Sequence, residues 1–363
     1  SKAKINKNLV LLTMSERNLF KLLDFDSCVT HRDELVDFDP WDDDADRKRV
    51  DAYAIIKEAQ QNPQDVDLLY TFRQNEQYKR CCPLHQAILL GLDVGVIYIL
   101  SSPVAVKQKC DGATALHLAL YATNSEYFDA NMNENVLKDV VALLLRKYPE
   151  AAKEKDEEGK TPLHLACENE APLDVLSLLL YSWPNAAKEK DKYGWTPLHL
   201  ACLFGASLDV MSALLSNCPD ALQEKSNTGY TPLHLACRSI APRDVILLLL
   251  DEWLKVAENR NSRSVEFLRH LSSGNKKRLL FYVSSLFNGE QSNLSPSEIM
   301  RIFININWQN GTMLVINKHP AVAKSLDLHT TVMADFLFTV GKRCSLTTMS
   351  YLIQNEPDLL EGV

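Results

Sequence analysis

The sequence predicts an all-α protein made of helix pairs that stack into a solenoid, and an internal repeat is the main observation behind this prediction. The heptapeptide TPLHLAC begins at Thr161, Thr196 and Thr231, so it recurs every 35 residues. Weaker copies, TALHLAL and CPLHQAI, begin at Thr114 and Cys82. A fixed period of this length is typical of repeat proteins, in which each unit buries its apolar face only by stacking on its neighbours.

Each unit contains the signals for two helices. Thr161 can act as an N-cap, and Pro162 suits the first helical position because the N–H that it lacks would have no helical partner there. A second helix follows with apolar residues such as Val175 and Leu176 at helical spacing, and Asp174 in its first turn suits the helix dipole. A proline in the same register of four units is expected to end this second helix: Pro103, Pro149, Pro184 and Pro219.

These motifs resemble the ankyrin repeat over residues 82–260, through TPLHLA and the upstream D-x-x-G of DEEGK and DKYGW. The resemblance implies antiparallel helix pairs joined by β-hairpin fingers, with a concave face that binds other proteins. The period of 35 exceeds the usual value of about 33, and YPEAA or WPNAA replaces the usual glycine-containing turn, which leaves the finger geometry open. The YPEAAKEKD variant resembles arrays that are abundant in eukaryotic algae.

The chain is expected to have four regions. Residues 1–50 form an acidic N-terminal arm that is partly disordered, because the segment 20–46 carries ten acidic residues. A helical cap (51–81) precedes the repeats (82–260), which contain an insertion near 122–135 that should protrude or lengthen a helix. Residues 261–363 are interpreted as degenerate helical repeats that cap the array, with a separate helical domain as the alternative.

Composition narrows the classes of partner and compartment. The net charge of −8 makes nucleic acid an improbable main ligand. No apolar stretch is long enough to span a bilayer comfortably, so no membrane insertion is expected. Nine cysteines, three of them at the repeat spacing, favour reduced thiols in an intracellular compartment, the cytoplasm first, with the nucleus or an organelle as alternatives.

The recurring polar residues are interpreted as structural. One histidine per unit occupies the same helical position, too far from the next to share a metal ion: His85, His117, His164, His199 and His234. Cys167, Cys202 and Cys237 are read as buried packing residues. We find no phosphate loop, HExxH, GxSxG or paired CxxC, and therefore predict no catalytic residues, no cofactor and no metal site.

Two short sequences in the acidic arm leave minor alternatives. DFDPWDDDAD offers many oxygen atoms for calcium but lacks the glycine that an EF-hand loop needs at its sixth position. Asp39-Pro40-Trp41 is similar to DPW peptides that bind endocytic adaptor domains. His31-Arg32-Asp33 matches part of a kinase catalytic loop, but the other parts of a kinase are missing.

The ankyrin resemblance also implies which side chains face a partner. The ankyrin repeat pattern does not fix the residue type beside the finger glycine or just after the small residues of the first helix, and we call these the free positions. On this chain the implied partner-binding residues are Glu157, Glu158, Lys160, Asn169, Lys192, Tyr193, Trp195, Leu203, Phe204, Thr228, Tyr230 and Arg238. Glu168, Asn227 and Ser239 occupy free positions of the same kind. An aromatic patch with a polar border is typical of an interface, although these aromatics could instead stiffen the array.

The sequence therefore predicts a scaffold or adaptor that binds a partner protein without catalysis. One alternative is a structural subunit of a large assembly that uses its convex or C-terminal surface. Another is an enzyme or metal protein with a site in the C-terminal helical region.

Overall fold

A computed structural model describes residues 18–23, 51–74, 77–121, 134–288 and 294–319, together with Val322. The chain divides into two compact units, one ending at Gly229 and one beginning at Tyr230. This boundary lies inside the repeats and not at residue 260, where the repeat pattern fades. The described residues are mostly helical with few strands, which confirms the predicted all-α class. None of their helices is long and apolar enough to cross a membrane.

The first unit begins with a small helical and hairpin region before the repeats. It contains helices α1 (Asn18–Leu23) and α2 (Ala52–Gln61), followed by the antiparallel strands β1 (Tyr70–Gln74) and β2 (Gln77–Cys81). The repeat helices of this unit are α3 (Pro83–Leu89), α4 (Val94–Leu100), α5 (Ala115–Tyr121), α6 (Glu134–Lys147), α7 (Pro162–Glu168), α8 (Leu173–Ser182), α9 (Pro197–Phe204) and α10 (Leu208–Asn217).

Helix α1 corrects the expectation of a partly disordered arm over residues 1–50 for the short segment that it covers. Leu19 and Leu23 are fully buried, and Phe20 stacks on Tyr70 and Phe72 with ring centroids 5.6 and 5.2 Å apart. The reason is that the apolar residues of NLFKLL fall on one side of a helix that packs against α2 and α3. Residues 24–50, with the calcium, DPW and HRD sequences, lie outside the described part of the chain.

The predicted helix starts are confirmed in three repeats. Thr161, Thr196 and Thr231 each cap a helix whose first residue is proline, and the histidine three residues later completes a reciprocal capping box. The predicted helix ends are also confirmed. Helices α6, α8 and α10 end just before Pro149, Pro184 and Pro219, and each proline opens a short 3-10 helix that buries two small or apolar residues.

The fingers between repeats are shorter than the hairpins that the resemblance implies. Only one of the described fingers has paired strands, β3 (Lys109–Cys110) with β4 (Ala113–Thr114). The next two are single tight turns, closed by hydrogen bonds from the Asp156 N–H to the Lys160 carbonyl and from the Asp191 N–H to the Trp195 carbonyl, both 3.0 Å. Part of the insertion lengthens α6 to 14 residues, against 10 for α8, and residues 122–133 lie outside the description.

The second unit consists of six described helices. They are α11 (Pro232–Arg238), α12 (Arg243–Trp253), α13 (Ser262–Leu271), α14 (Gly274–Phe287), α15 (Pro296–Asn305) and α16 (Gln309–Lys318). Ser295 and Glu298 form the capping box that the sequence predicts at the start of α15. Asp251 accepts hydrogen bonds from the Trp308 indole and the Asn310 amide, both 2.6 Å, which tie α16 to α12.

Candidate protein-binding surface

The finger at residues 191–196 is a rigid turn that holds two aromatic residues. Oδ1 of Asp191 accepts hydrogen bonds from the backbone N–H groups of Tyr193 at 2.9 Å and Trp195 at 2.8 Å. Gly194 has a φ of 75°, and its N–H donates to the Asp191 carbonyl at 3.0 Å. The aspartate fixes the backbone on both sides of the glycine, so Tyr193 and Trp195 leave the turn in defined directions.

The two aromatic side chains of this finger lie together at the surface. The Tyr193 and Trp195 ring centroids are 6.4 Å apart, and Tyr193 is 49% exposed. Trp195 is partly buried, and among the described residues its indole N–H has no hydrogen-bond partner. The Lys192 ammonium lies 5.0 Å from the centroid of the Tyr193 ring, a cation–π contact. Trp195 is therefore an anchored residue that still presents a donor and part of its ring.

Two further apolar residues lie at the end of α9. Leu203 and Phe204 are partly exposed on its last turn, and the helix ends at Gly205, whose φ is 79°. We call Tyr193, Trp195, Leu203 and Phe204 together the finger surface. All four belong to the first unit.

The charged residues beside the finger surface form an internal network. Lys160 is only 8% exposed, and its ammonium lies 2.7 Å from Glu168 and 3.0 Å from Glu158. Burial of Lys160 disfavours its charge, but the hydrogen bonds to Glu168 and Glu158 raise its pKa above the ordinary value. Hydrogen bonds from Lys160 and Lys192 lower the pKa of Glu158. These side chains are thus already engaged with one another, whereas Glu157 is exposed.

Two other residues at free positions also have local contacts. The Asn169 amide donates to the carbonyl of Leu120 at 2.9 Å, which satisfies the end of α5. Thr228 is exposed, and its hydroxyl lies 3.0 Å from that of Ser226.

The recurring histidines are built into the packing. In the repeat at Thr161, Nδ1 of His164 lies 2.8 Å from the threonine hydroxyl, and Nε2 lies 3.1 Å from the carbonyl oxygen of Trp195 in the next finger. Burial lowers the pKa of His164 to about 4, so the ring is neutral at physiological pH. Burial also raises the pKa of Cys167. Among the described residues, no group of three or more His, Cys, Asp or Glu is placed to hold a metal ion.

Comparison with known proteins agrees with these repeats. The family model for ankyrin repeats, which contains three copies, matches residues 173–262. Residues 173–262 of this chain are ankyrin repeats. No curated protein matches it. Ankyrin repeats are in general protein–protein interaction modules and are typically not enzymatic.

The second unit holds the last two residues that the sequence predicts for the partner-binding surface, Tyr230 and Arg238, and one aromatic residue that sequence reasoning missed. Arg238 lies 5.4 Å from the centroid of the Tyr230 ring. The His234 ring is 6.0 Å from Tyr230 and 5.1 Å from Phe267, which is 51% exposed. Unlike His164, His234 is partly exposed.

A signal for Phe267 exists in the ankyrin register itself. Phe267 stands 35 residues after Pro232, so it replaces the proline of TPLH. Without the Thr-Pro start, α13 begins at Ser262 with Asn261 as its N-cap, and the residues that form a finger in earlier repeats are helical here. A phenylalanine at the position where the earlier repeats have the proline of TPLH was therefore a sign, visible in the sequence alone, that this residue has a different role.

Proposed function

We propose that this protein is a scaffold or adaptor that binds a partner protein through the finger surface. The observation that carries the proposal is the pair of Tyr193 and Trp195, two partly exposed aromatics on a turn that Asp191 holds rigid. Large side chains that are fixed before binding lose little conformational entropy in a complex, so they suit the centre of an interface. The indole N–H of Trp195, which has no partner within the described part of the chain, adds a directional donor.

The charged network supports this role as a border. Glu158 is paired with the exposed Lys192 and with the buried Lys160, so Glu158 and Lys192 present a polar rim with little tendency to rearrange. A polar rim around an aromatic centre is the usual anatomy of a protein interface. An intracellular, reducing compartment suits the buried cysteines of the described residues, which form no disulfide with one another.

A structural subunit that docks through its second helices remains the competing function, and one observation favours it. Tyr181, on α8, is 89% exposed and borders a shallow groove with Leu180, Pro184 and Ala213. An exposed aromatic next to an apolar groove can also mark an interface. Tyr181 is therefore the matched aromatic for comparison with Trp195.

The test separates these two surfaces. Partners captured by the full chain are identified by mass spectrometry, and the purified partner is titrated against wild type, Trp195→Ala and Tyr181→Ala. We expect Trp195→Ala to weaken binding by about 2 kcal/mol, or more than tenfold, while Tyr181→Ala has little effect. The reverse pattern would assign the interface to the second helices and overturn the proposal.

A further inference from the structure

Two equivalent finger aspartates differ in how their carboxylates are satisfied. Asp156 and Asp191 each stand five residues before the capping threonine of their repeat. In both, Oδ1 accepts two backbone N–H groups of the turn. Oδ2 of Asp156 also accepts a hydrogen bond from the Tyr121 hydroxyl at 2.7 Å. Oδ2 of Asp191 is buried and has no hydrogen-bond partner among the described residues.

The missing donor follows from one difference in the repeat. Tyr121 stands seven residues after Thr114, and the residue seven after Thr161 is Glu168. A carboxylate is an acceptor and cannot supply the hydrogen bond that a tyrosine hydroxyl supplies. Glu168 is instead held by the Lys160 ammonium, with distances of 3.0 and 2.7 Å to its two oxygens. Asp191 therefore lacks, among the described residues, the donor that Tyr121 supplies to Asp156.

An unsatisfied carboxylate oxygen at this depth is costly. Asp191 is only 7% exposed. An acceptor that is buried without a donor loses its hydration, and no hydrogen bond compensates for that loss. Tyr121, which is 37% exposed, shows how a side chain can reach the equivalent carboxylate from the surface. The position that Tyr121 fills at Asp156 is the one from which a donor on a bound partner would approach Oδ2 of Asp191, which is covered in the unbound chain.

The local charge selects the kind of donor. With Asp191, the acidic residues Glu157, Glu158 and Glu168 outnumber the two lysines of this network, Lys160 and Lys192, and both lysines are already paired with these acids. An arginine or lysine gives a charge-assisted hydrogen bond to a carboxylate, stronger than that of a neutral hydroxyl. Its aliphatic stem can lie along the rings of Tyr193 and Trp195.

We propose that the partner of the finger surface inserts a basic side chain whose N–H groups complete the hydrogen bonding of Asp191. This inference rests on the proposed function, because it assumes that the partner covers the finger surface. It adds the chemical class of the anchor: a basic residue next to apolar residues in the bound segment.

The probe is a phage-displayed library of random twelve-residue peptides selected on the full chain. We expect the selected peptides to share an arginine or lysine. Its replacement by norleucine, which keeps the stem and removes the charge, should weaken binding to the wild-type protein about tenfold or more. Replacement by tyrosine tests whether a hydroxyl serves as well, and a tyrosine that binds as tightly as the basic residue would overturn the charge argument.

A double-mutant cycle locates the contact. In Glu168→Tyr the chain supplies its own hydroxyl to Asp191, and in Asp191→Asn the charge is removed, so norleucine should cost much less in both variants. Tyr121→Phe changes the equivalent contact at Asp156 and should leave the cost of norleucine as in wild type. Asp191→Asn carries the test if Glu168→Tyr does not fold.

The outcomes distinguish this inference from the proposed function. If peptide binding depends on Trp195 but the basic residue and Asp191 contribute additively, the anchor is elsewhere and only this inference is wrong. If the selected peptides bind Trp195→Ala as tightly as wild type, the finger surface is not the interface and the proposed function is wrong as well.

Discussion

Nε2 of His164 lies 3.1 Å from the carbonyl oxygen of Trp195, so a buried side chain of one repeat binds the finger backbone of the next. The same relationship joins His117 to the carbonyl of Lys160 at 3.2 Å. Nδ1 of each ring closes the capping box of its own helix. One histidine thus satisfies polar groups in two repeats, which explains its recurrence without a metal.

These histidines predict a loss of stability in mild acid. Burial lowers the pKa of His85 and of His164 to about 4 and lowers that of His117. In the unfolded chain the pKa of a histidine lies near 6.5. Between about pH 4 and pH 6.5 the unfolded chain therefore binds more protons than the folded chain. The contribution of these neutral histidines to the free energy of unfolding is complete above about pH 6.5. It is lost as the pH falls toward 4, by up to about 1.4 kcal/mol per pH unit for each histidine.

The measurement is the urea midpoint of unfolding between pH 7.5 and 5.5. His164→Gln should lower the midpoint at pH 7.5 by removing a contact between repeats, and it should also make the pH dependence shallower. The exposed His270 provides the control, and His270→Gln should behave like wild type. An unchanged slope in His164→Gln would contradict the assignment of the proton uptake to this ring.

Gly194 predicts a steric cost in the finger that can be separated from backbone strain. A Cβ at Gly194 would lie 2.9 Å from the backbone nitrogen of Asn227, whereas a Cβ at Gly229 meets nothing within 4 Å among the described residues. Both glycines have a positive φ, 75° and 83°. Gly194→Ala should therefore be more destabilising than Gly229→Ala by about 1–3 kcal/mol, as measured by chemical denaturation. Equal losses would show that φ alone sets the cost.

Helix α1 predicts that the N-terminal segment contributes to folding. Leu23→Ala should lower the free energy of unfolding by about 2–5 kcal/mol because the side chain is fully buried against the first unit. Lys21→Ala, at an exposed position of the same helix, is the control and should change it little. A thermal melt of Leu23→Ala that overlays the wild-type curve would contradict this prediction and show that the N-terminal segment is dispensable for folding.

Gly311 predicts a tight contact in the second unit. A Cβ there would collide with the Trp308 ring, and Trp308 is held in place by its hydrogen bond to Asp251 at 2.6 Å. Gly311→Ala should therefore destabilise the second unit by about 1–3 kcal/mol, despite the better helix propensity of alanine. In the helical control Gly95→Ala, the nearest atom is a side-chain oxygen of Asp93, so the loss should be smaller. The result is read from calorimetry of both variants.

Local sequence determined the repeat, the helix starts and the helix ends of this protein. A threonine cap followed by proline, and a proline after the second helix, act through the backbone of their own few residues, so Thr161 and Pro184 could be read without knowledge of the fold. The capping box at Ser295 was predictable for the same reason.

The tertiary structure alone decided how the free positions are used. Lys160 stands at a template position that suggests a partner contact, yet it is buried between Glu158 and Glu168 because the folded backbone brings these side chains together. Oδ2 of Asp191 is buried without a partner among the described residues because the previous repeat offers Glu168 where another repeat offers Tyr121, a difference between residues far apart in sequence. Burial of Leu23 likewise depends on α2 and α3, which its own neighbours in sequence do not specify.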